Sequence, residues 1–213
     1  ATDAVPKTVL SLCQSAGLKG IPTGIDHGTV TVVSQGQAHE ITTFRRDIAT
    51  DGRRAVVAFS KDIAEDARRR DFTMNALYAQ ADGTLVDPLG GLKDLRARRL
   101  RFVGDADARI REDYLRVLRF FRFHAQYGDP QQGLDPDALA ACAEHSAMLE
   151  TLSQERITAE LRKLLAARDP APSVAAMAQT GVLGHILPGA QAQPLAILVH
   201  LEGGEPGTWL RRL

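Results

Sequence analysis

The hydrophobic period of this chain changes once, near Asp105, and that change limits the fold more than any other feature. Before it, GTVTVV at 28–33 alternates threonine with valine, as a half-buried strand does. QAHEITTFRRD at 37–47 reads as its antiparallel partner, reached through a Ser34–Gln35–Gly36 turn. After Asp105, apolar residues recur at helical spacing over 105–127, 135–144, 153–167 and 171–180, with Asp135 and Ser153 as caps. Strands followed by helices predict an α+β head that leads into an all-α body. The rest is shorter. Residues 6–17 read as a helix opened by Pro6 and stopped by Gly17, and 64–77 as a helix capped by Asp62. Residues 84–88 suit a short strand closed by Pro88, 90–95 a short helix, and 98–103 an extended piece. Residues 48–60 show no period and read as a mobile loop.

At 213 residues the chain can form one large domain or two to three small ones. Its formal net charge is zero, so no global field draws it onto nucleic acid or a membrane. Five of its 26 basic residues are lysines and the other 21 are arginines. Arginine is suited to planar, bidentate contact with phosphates, carboxylates and bases. A GC-rich genome explains the bulk count equally well, but not the clusters. Cys13 and Cys142 lie far apart in helical context and read as buried thiols of a reduced compartment. The sequence carries no signal peptide and no apolar run near membrane-spanning length, which suits a cytoplasmic enzyme. The chain opens without an initiator Met and reads as an internal piece of something longer.

The densest chemistry lies in REDYLRVLRFFRF at 111–123. On one continuous helix, Glu112, Arg116, Arg119 and Phe123 crowd one face, with Asp113 and Arg122 flanking it. A lattice of i,i+4 ion pairs is the plain alternative, but it explains the acids poorly beside three arginines. The functional alternative is a fixed hydrogen-bonding edge. A carboxylate only accepts and a guanidinium only donates. Cytosine and adenine each offer an amino donor beside a ring-nitrogen acceptor. Uracil and guanine offer the reverse order. An Asp113–Arg116 edge therefore suits C and A, and rejects U and G because buried polar groups would be left unpaired.

Two weaker signals accompany it. In RRRDFTMNAL, Arg68, Arg69 and Arg70 abut an apolar run, and Asp71 and Asn75 would stack on one helical face. Arg70 is the arginine placed nearest buried structure, with a triphosphate or ribose as its partner. On the second strand Glu40 shares a face with Thr42 and Phe44. A lone strand carboxylate usually faces solvent, and a metal role needs partner carboxylates. Asp105-x-Asp107 has such a spacing, but it sits at a helix start, where capping accounts for it.

Taken in order, ATDAVP, GIDHGTVTV, HEITTFRRD, RRDFTMNAL, LVDPLGGLKDL and EDYLRVLRFFRF resemble the class II tRNA nucleotidyltransferases. These are the bacterial-type CCA-adding enzymes, which share a superfamily with bacterial poly(A) polymerases. The resemblance runs from about residue 1 to 190. It implies a nucleotidyltransferase palm over 1–98, truncated at its N-terminus, a base-reading neck over 99–147, and the start of an RNA-binding helical body over 148–213. It implies addition of CMP and AMP to tRNA 3′ ends from CTP and ATP, with Mg2+ as cofactor, pyrophosphate as product and no membrane partner. By position, Glu40 matches an acidic catalytic and metal-binding residue, and Arg70 a nucleotide-binding arginine. Asp113 and Arg116 match the base-reading pair. Arg119 and Arg122 match arginines that contact the triphosphate or support that pair, with Asp71, Asn75 and Glu112 secondary. Asp87 falls in a motif position whose work is largely structural, and 46–61 occupies the place of the family's flexible loop. The family's Asp-x-Asp metal motif belongs upstream of Ala1 and is not in this chain, so the segment alone is expected to be inactive. A poly(A) polymerase of the same family and a non-catalytic RNA-binding fragment are the alternatives.

Overall fold

Helix α1 (Pro6–Ser15) opens on a proline, whose fixed φ and missing N–H cost nothing in the first helical turn. It lies on a three-stranded antiparallel sheet of β1 (Lys19–Gly24), β2 (Thr29–Ser34) and β3 (Gln37–Thr42), with β2 in the centre. The alternation in β2 does what its period predicts. Val30 and Val32 turn inward and pack with Val9 and Cys13, beside Ala4, Leu10 and Ile41. Thr29 and Thr31 take the other face. Gln35 and Gly36 both have positive φ and close the two-residue β2–β3 turn.

The computed structural model describes residues 1–50, 55–203 and 207–213. The stretch read as a loop is corrected: β4 (Arg45–Thr50) and β5 (Ala55–Phe59) pair as an antiparallel ribbon across most of it. Residues 51–54 of that reading lie outside the described residues. Strand β4 bulges between Asp47 and Ala49, which breaks the alternation that would have marked it in the sequence.

Helix α2 (Ile63–Arg68) is shorter than the reading of 64–77. Asp62 caps it as expected, accepting the Ala64 N–H at 2.8 Å. The chain then leaves the helix because a tertiary partner takes its backbone groups. Thr73 N–H donates to the Arg101 carbonyl and Val103 N–H to the Asp71 carbonyl, and Phe72 pairs antiparallel with Phe102. Thr73–Asn75 follow as a 3-10 turn.

Packing groups the chain into two units, Ala1–Arg70 and Asp71–Leu213. The second holds a short ribbon of β6 (Tyr78–Ala79) and β7 (Leu85–Val86), then α3 (Gly91–Arg96). Its helical part comprises α4 (Ala106–Glu112), α5 (Leu115–Tyr127), α6 (Pro136–Glu144) and α7 (Gln154–Leu165). After these come α8 (Ala171–Gln179), α9 (Val182–Ile186), α10 (Gln193–Leu201) and α11 (Trp209–Arg212). The core is built on α5, whose Val117, Leu118, Phe120 and Phe121 are buried. Phe72, Phe102 and Phe120 form a ring cluster at its centre. Cys13 and Cys142 are both free and buried, and burial pushes the Cys142 thiol pKa up. No helix among the described residues is long and apolar enough to cross a membrane.

Three polar groups, two of them buried, hold this unit's parts in register. Asp87 accepts the Gly91 and Leu92 N–H groups at 2.8 and 3.0 Å, satisfying the open end of α3. Asp94 is fully buried and takes Thr73, Arg99 and Arg101. Burial pushes its carboxyl up, but the Arg99 and Thr73 hydrogen bonds and the Arg101 charge outweigh that and hold it below the usual range. Buried His124 meets Ser173 through Nδ1 at 2.8 Å, tying α5 to α8, and burial holds its pKa below that of a free imidazole.

Two outcomes follow. A Cβ on Gly91 would lie 2.0 Å from the Thr73 carbonyl oxygen, so backbone must move. Gly91→Ala should cost about 3 kcal/mol in a denaturant melt, the upper part of the usual overpacking range; an unchanged midpoint would refute the close approach. For His124 the unfolded chain takes the proton first, so its contribution is complete above about pH 6.5 and is lost as pH falls through that value. The melting temperature should therefore drop between about pH 7 and 5.5, and His124→Gln should flatten that drop. An equal slope in the variant would assign the effect elsewhere.

Candidate functional site

Asp113 is where the chain departs most usefully from the expected single helix over 105–127. It ends α4 with extended backbone, φ −159° and ψ 107°. Its Oδ1 accepts the Leu115 N–H at 3.1 Å, a local turn that competes with helix continuation and starts α5 instead. The acid thus sits on an elbow between two helices. Its Oδ2 accepts from Arg156 Nη2 of α7 at 2.6 Å. Both side chains keep about a third of their surface in solvent, 30% for Asp113 and 29% for Arg156.

Arg116 stands in the first turn of α5. Its Nη1 donates to the Arg109 carbonyl at 2.8 Å and to the Glu112 carboxylate. Glu112 also takes Arg109 at 2.7 Å, so the end of α4 grips the guanidinium from two sides. The lattice pair Glu112–Arg116 therefore exists across the break between the helices. Acceptor and donor halves of the supposed edge are held by different elements, Asp113 by α7 and Arg116 by α4.

Arg119 lies farther along α5 and meets Asp71 through Nε at 2.7 Å and Nη2 at 2.6 Å. The other Asp71 oxygen accepts from Asn75 Nδ2 at 2.9 Å and from the Phe72 N–H. Asp71 and Asn75 are thus together as expected, through a turn and not a helix. Arg122 is buried, paired with Glu160 of α7 at 2.5 Å and stacked 4.2 Å from the Phe123 ring centre. Of the two roles that the resemblance offers it, this placement suits support.

The first unit holds the other two residues. Arg70 donates to buried Asp66 through Nε and Nη2, at 3.2 and 2.7 Å, and 37% of its side chain stays exposed. Glu40 is exposed on β3, opposite Thr31. Hydroxyl pairs Thr23–Thr31 at 2.7 Å and Thr29–Thr42 at 3.1 Å line the same face. An oxygen-only setting suits a hard cation such as Mg2+. Yet one carboxylate is too few for a divalent ion's usual shell, so Glu40 is fit to be one ligand and not a site. Among the described residues, three metal-capable side chains meet only at Asp107, Glu144 and His145. There Asp107 already takes His145 at 2.5 Å, which ties α4 to the end of α6, and Arg111 at 3.0 Å. The His145 hydrogen bond, with the Arg111 charge, holds the Asp107 carboxyl below its usual range.

Arg156 and Glu160 escaped the sequence analysis. They lie at i,i+4 in SQERITAEL, a pattern that any surface helix shows, and nothing local says that α7 packs on α5.

A family model described as "Poly A polymerase head domain" matches residues 1–101, and one described as "Probable RNA and SrmB- binding site of polymerase A" matches 133–193. The human "CCA tRNA nucleotidyltransferase 1, mitochondrial" is 46% identical over 166 residues, covering 78% of this chain and 38% of the relative. The CCA-adding enzyme of Geobacillus thermodenitrificans is 40% identical over 214 residues, covering all of this chain and 48% of the relative. The chain thus spans less than half the length of these curated relatives. The crystal structure of the Bacillus stearothermophilus CCA-adding enzyme in complex with CTP superposes with a TM-score of 0.78 at 36% identity. It covers 92% of this chain and 46% of that one. An α+β head running into helices, two family models and relatives at this identity agree: the chain belongs to the tRNA nucleotidyltransferase/poly(A) polymerase family.

Proposed function

We propose that this chain is the nucleotide-selecting part of an enzyme that adds CMP and AMP to tRNA 3′ ends, using CTP and ATP and releasing pyrophosphate. The observation that carries the reading is the Asp113 elbow. A carboxylate outside any helix, part-exposed, lies three residues from a guanidinium clamped by Glu112 and the Arg109 carbonyl. An acceptor and a donor held this way match the amino group and ring nitrogen of cytosine and adenine. The relatives' names and the CTP complex of the structural neighbour support the same substrates.

In this reading the tRNA 3′-hydroxyl attacks the α-phosphate of the bound nucleotide. Asp113 and Arg116 choose the base, and Arg119 keeps part of its side chain exposed for the triphosphate; Arg70 carries a nucleotide-binding role of its own, as the resemblance implies. Arg122 supports the pair from within the core. Asp71 and Asn75 orient Arg119, and Glu112 orients Arg116. Glu40 provides one catalytic carboxylate and one ligand to Mg2+, which when bound neutralises charge on the reacting phosphate. Residues 1–98 are read as the head, 99–147 as the neck and 148–213 as the start of the tRNA-facing body. The head model's span of 1–101 supports the first boundary. Two reduced, buried cysteines suit the cytoplasm. The match to a poly(A) polymerase head domain favours a second reading, poly(A) synthesis.

Incubating the complete gene product with tRNA lacking its 3′ CCA, and with each NTP singly and in pairs, separates the readings. CTP incorporation followed by a single AMP is expected; long tracts from ATP alone would mean a poly(A) polymerase, and no incorporation a binding module. Asp113→Ala should lower the preference for CTP over UTP by about 10- to 100-fold, the worth of a charged hydrogen bond, while tRNA affinity holds. An intact preference would end the base-edge reading. Glu40→Gln should slow turnover at least about tenfold, the lower range for a lost catalytic charge, without moving the melting temperature. An unchanged rate would remove it from catalysis.

A further inference from the structure

We infer that Arg156 is a positioning residue for nucleotide choice: it locks the Asp113 carboxylate at the angle from which it can accept a base amino group. The inference rests on the reading of Asp113 and Arg116 as a base-reading edge.

The geometry assigns Arg156 this task by elimination. A residue inside a helix has its side-chain direction limited by the preceding turn. Asp113 has extended backbone, so no helix restrains it. Two tethers do. Leu115 N–H holds Oδ1 at 3.1 Å, and Arg156 Nη2 holds Oδ2 at 2.6 Å. With the first alone, the carboxylate keeps a broad, roughly two-fold torsion about its last bond. The second turns a pivot into a fixed plane. Each oxygen still has acceptor capacity for a ligand after one bond.

The lock needs a rigid mount, and α7 has one. Arg156 and Glu160 stand at i,i+4 on that helix and both reach the Asp113–Arg122 stretch. Glu160 is buried and pairs with buried Arg122 at 2.5 Å. Gln126 Nε2 reaches the Lys163 carbonyl at 3.3 Å, continuing the seam. Beneath these ties Leu161, Leu164 and Leu165 of α7 join the α5 core. The Arg156–Asp113 pair itself is part-exposed, and such pairs add little to stability. Its distance is that of a strong charge-assisted bond. Strong geometry with small structural worth fits a group kept for orientation.

Selectivity depends on that orientation. A fixed acceptor confronts the uracil or guanine carbonyl with a like group and cannot turn away. A swinging one turns aside and tolerates both. Losing Arg156 should therefore cost discrimination first, felt as weaker CTP binding, while turnover at saturating CTP changes less.

Titration calorimetry of CTP and UTP with the complete gene product tests this, with Arg156→Ala, Arg156→Lys and Asp113→Ala compared and their melting temperatures recorded. Arg156→Ala should lower the ratio of CTP to UTP affinity about fivefold or more, one hydrogen bond's worth, with its melting temperature close to the parent's. Arg156→Lys, which keeps the charge and loses the planar fork, should fall between the two. A ratio that survives Arg156→Ala but collapses in Asp113→Ala overturns the positioning role alone. A ratio that survives both overturns the base-edge reading on which it rests. If Arg156→Ala unfolds, Arg156→Lys decides: a parental ratio there counts against the planar lock.

Discussion

Burial of one face of α5 sets the direction of everything polar on it. Val117, Leu118, Phe120 and Phe121 are removed from solvent, and each large side chain of this kind contributes about 1.5–3 kcal/mol when fully buried. Turning the helix forward by one position would carry Arg116 and Arg119 into the buried places of Val117 and Phe120. The helix is therefore fixed, and with it the positions of Arg116, Arg119 and Arg122. Because Arg122 lies at the margin of the buried face, it needs a buried acid, and Glu160 on α7 supplies it. The same packing that makes the core thus brings α7 alongside the Asp113 elbow.

Four arginines of the described residues are already engaged before any ligand arrives. Arg70 holds Asp66, Arg119 holds Asp71, Arg116 holds Glu112 and Arg156 holds Asp113. Such internal partners hold each guanidinium in place, so less side-chain entropy is lost when a ligand binds. The net charge is zero because 26 acidic residues match the 26 basic ones, and these pairs set the two signs side by side. Positive charge is placed locally and balanced within a few ångströms, which gives geometry without a long-range field.

Much of this was legible in the residues. The Thr/Val alternation of 28–33 gave β2 and its buried face, and the caps Asp62, Asp105 and Asp135 each accept the expected N–H. Ser153 precedes α7 without a side-chain cap bond. The errors have three different causes. Helix 64–77 gives way at Asp71–Thr73 because Arg101–Val103 takes those backbone groups. The helix expected over 105–127 breaks at Asp113 because its own carboxylate captures the Leu115 N–H. The loop expected at 48–60 is largely strand because a bulge hides its period. Among the candidate residues, Asp113, Arg116 and Arg119 could be picked out by type and spacing. Arg156 could not, since its meaning lies in a contact 43 residues away in the chain.

A structure of the protein soaked with CTP is the most direct test of the central idea, that protein side chains stand in for a template strand. The cytosine amino nitrogen should lie about 3 Å from an Asp113 carboxylate oxygen, with the Arg116 guanidinium at the ring nitrogen. A clearly bound CTP whose ring lies away from both side chains would contradict it.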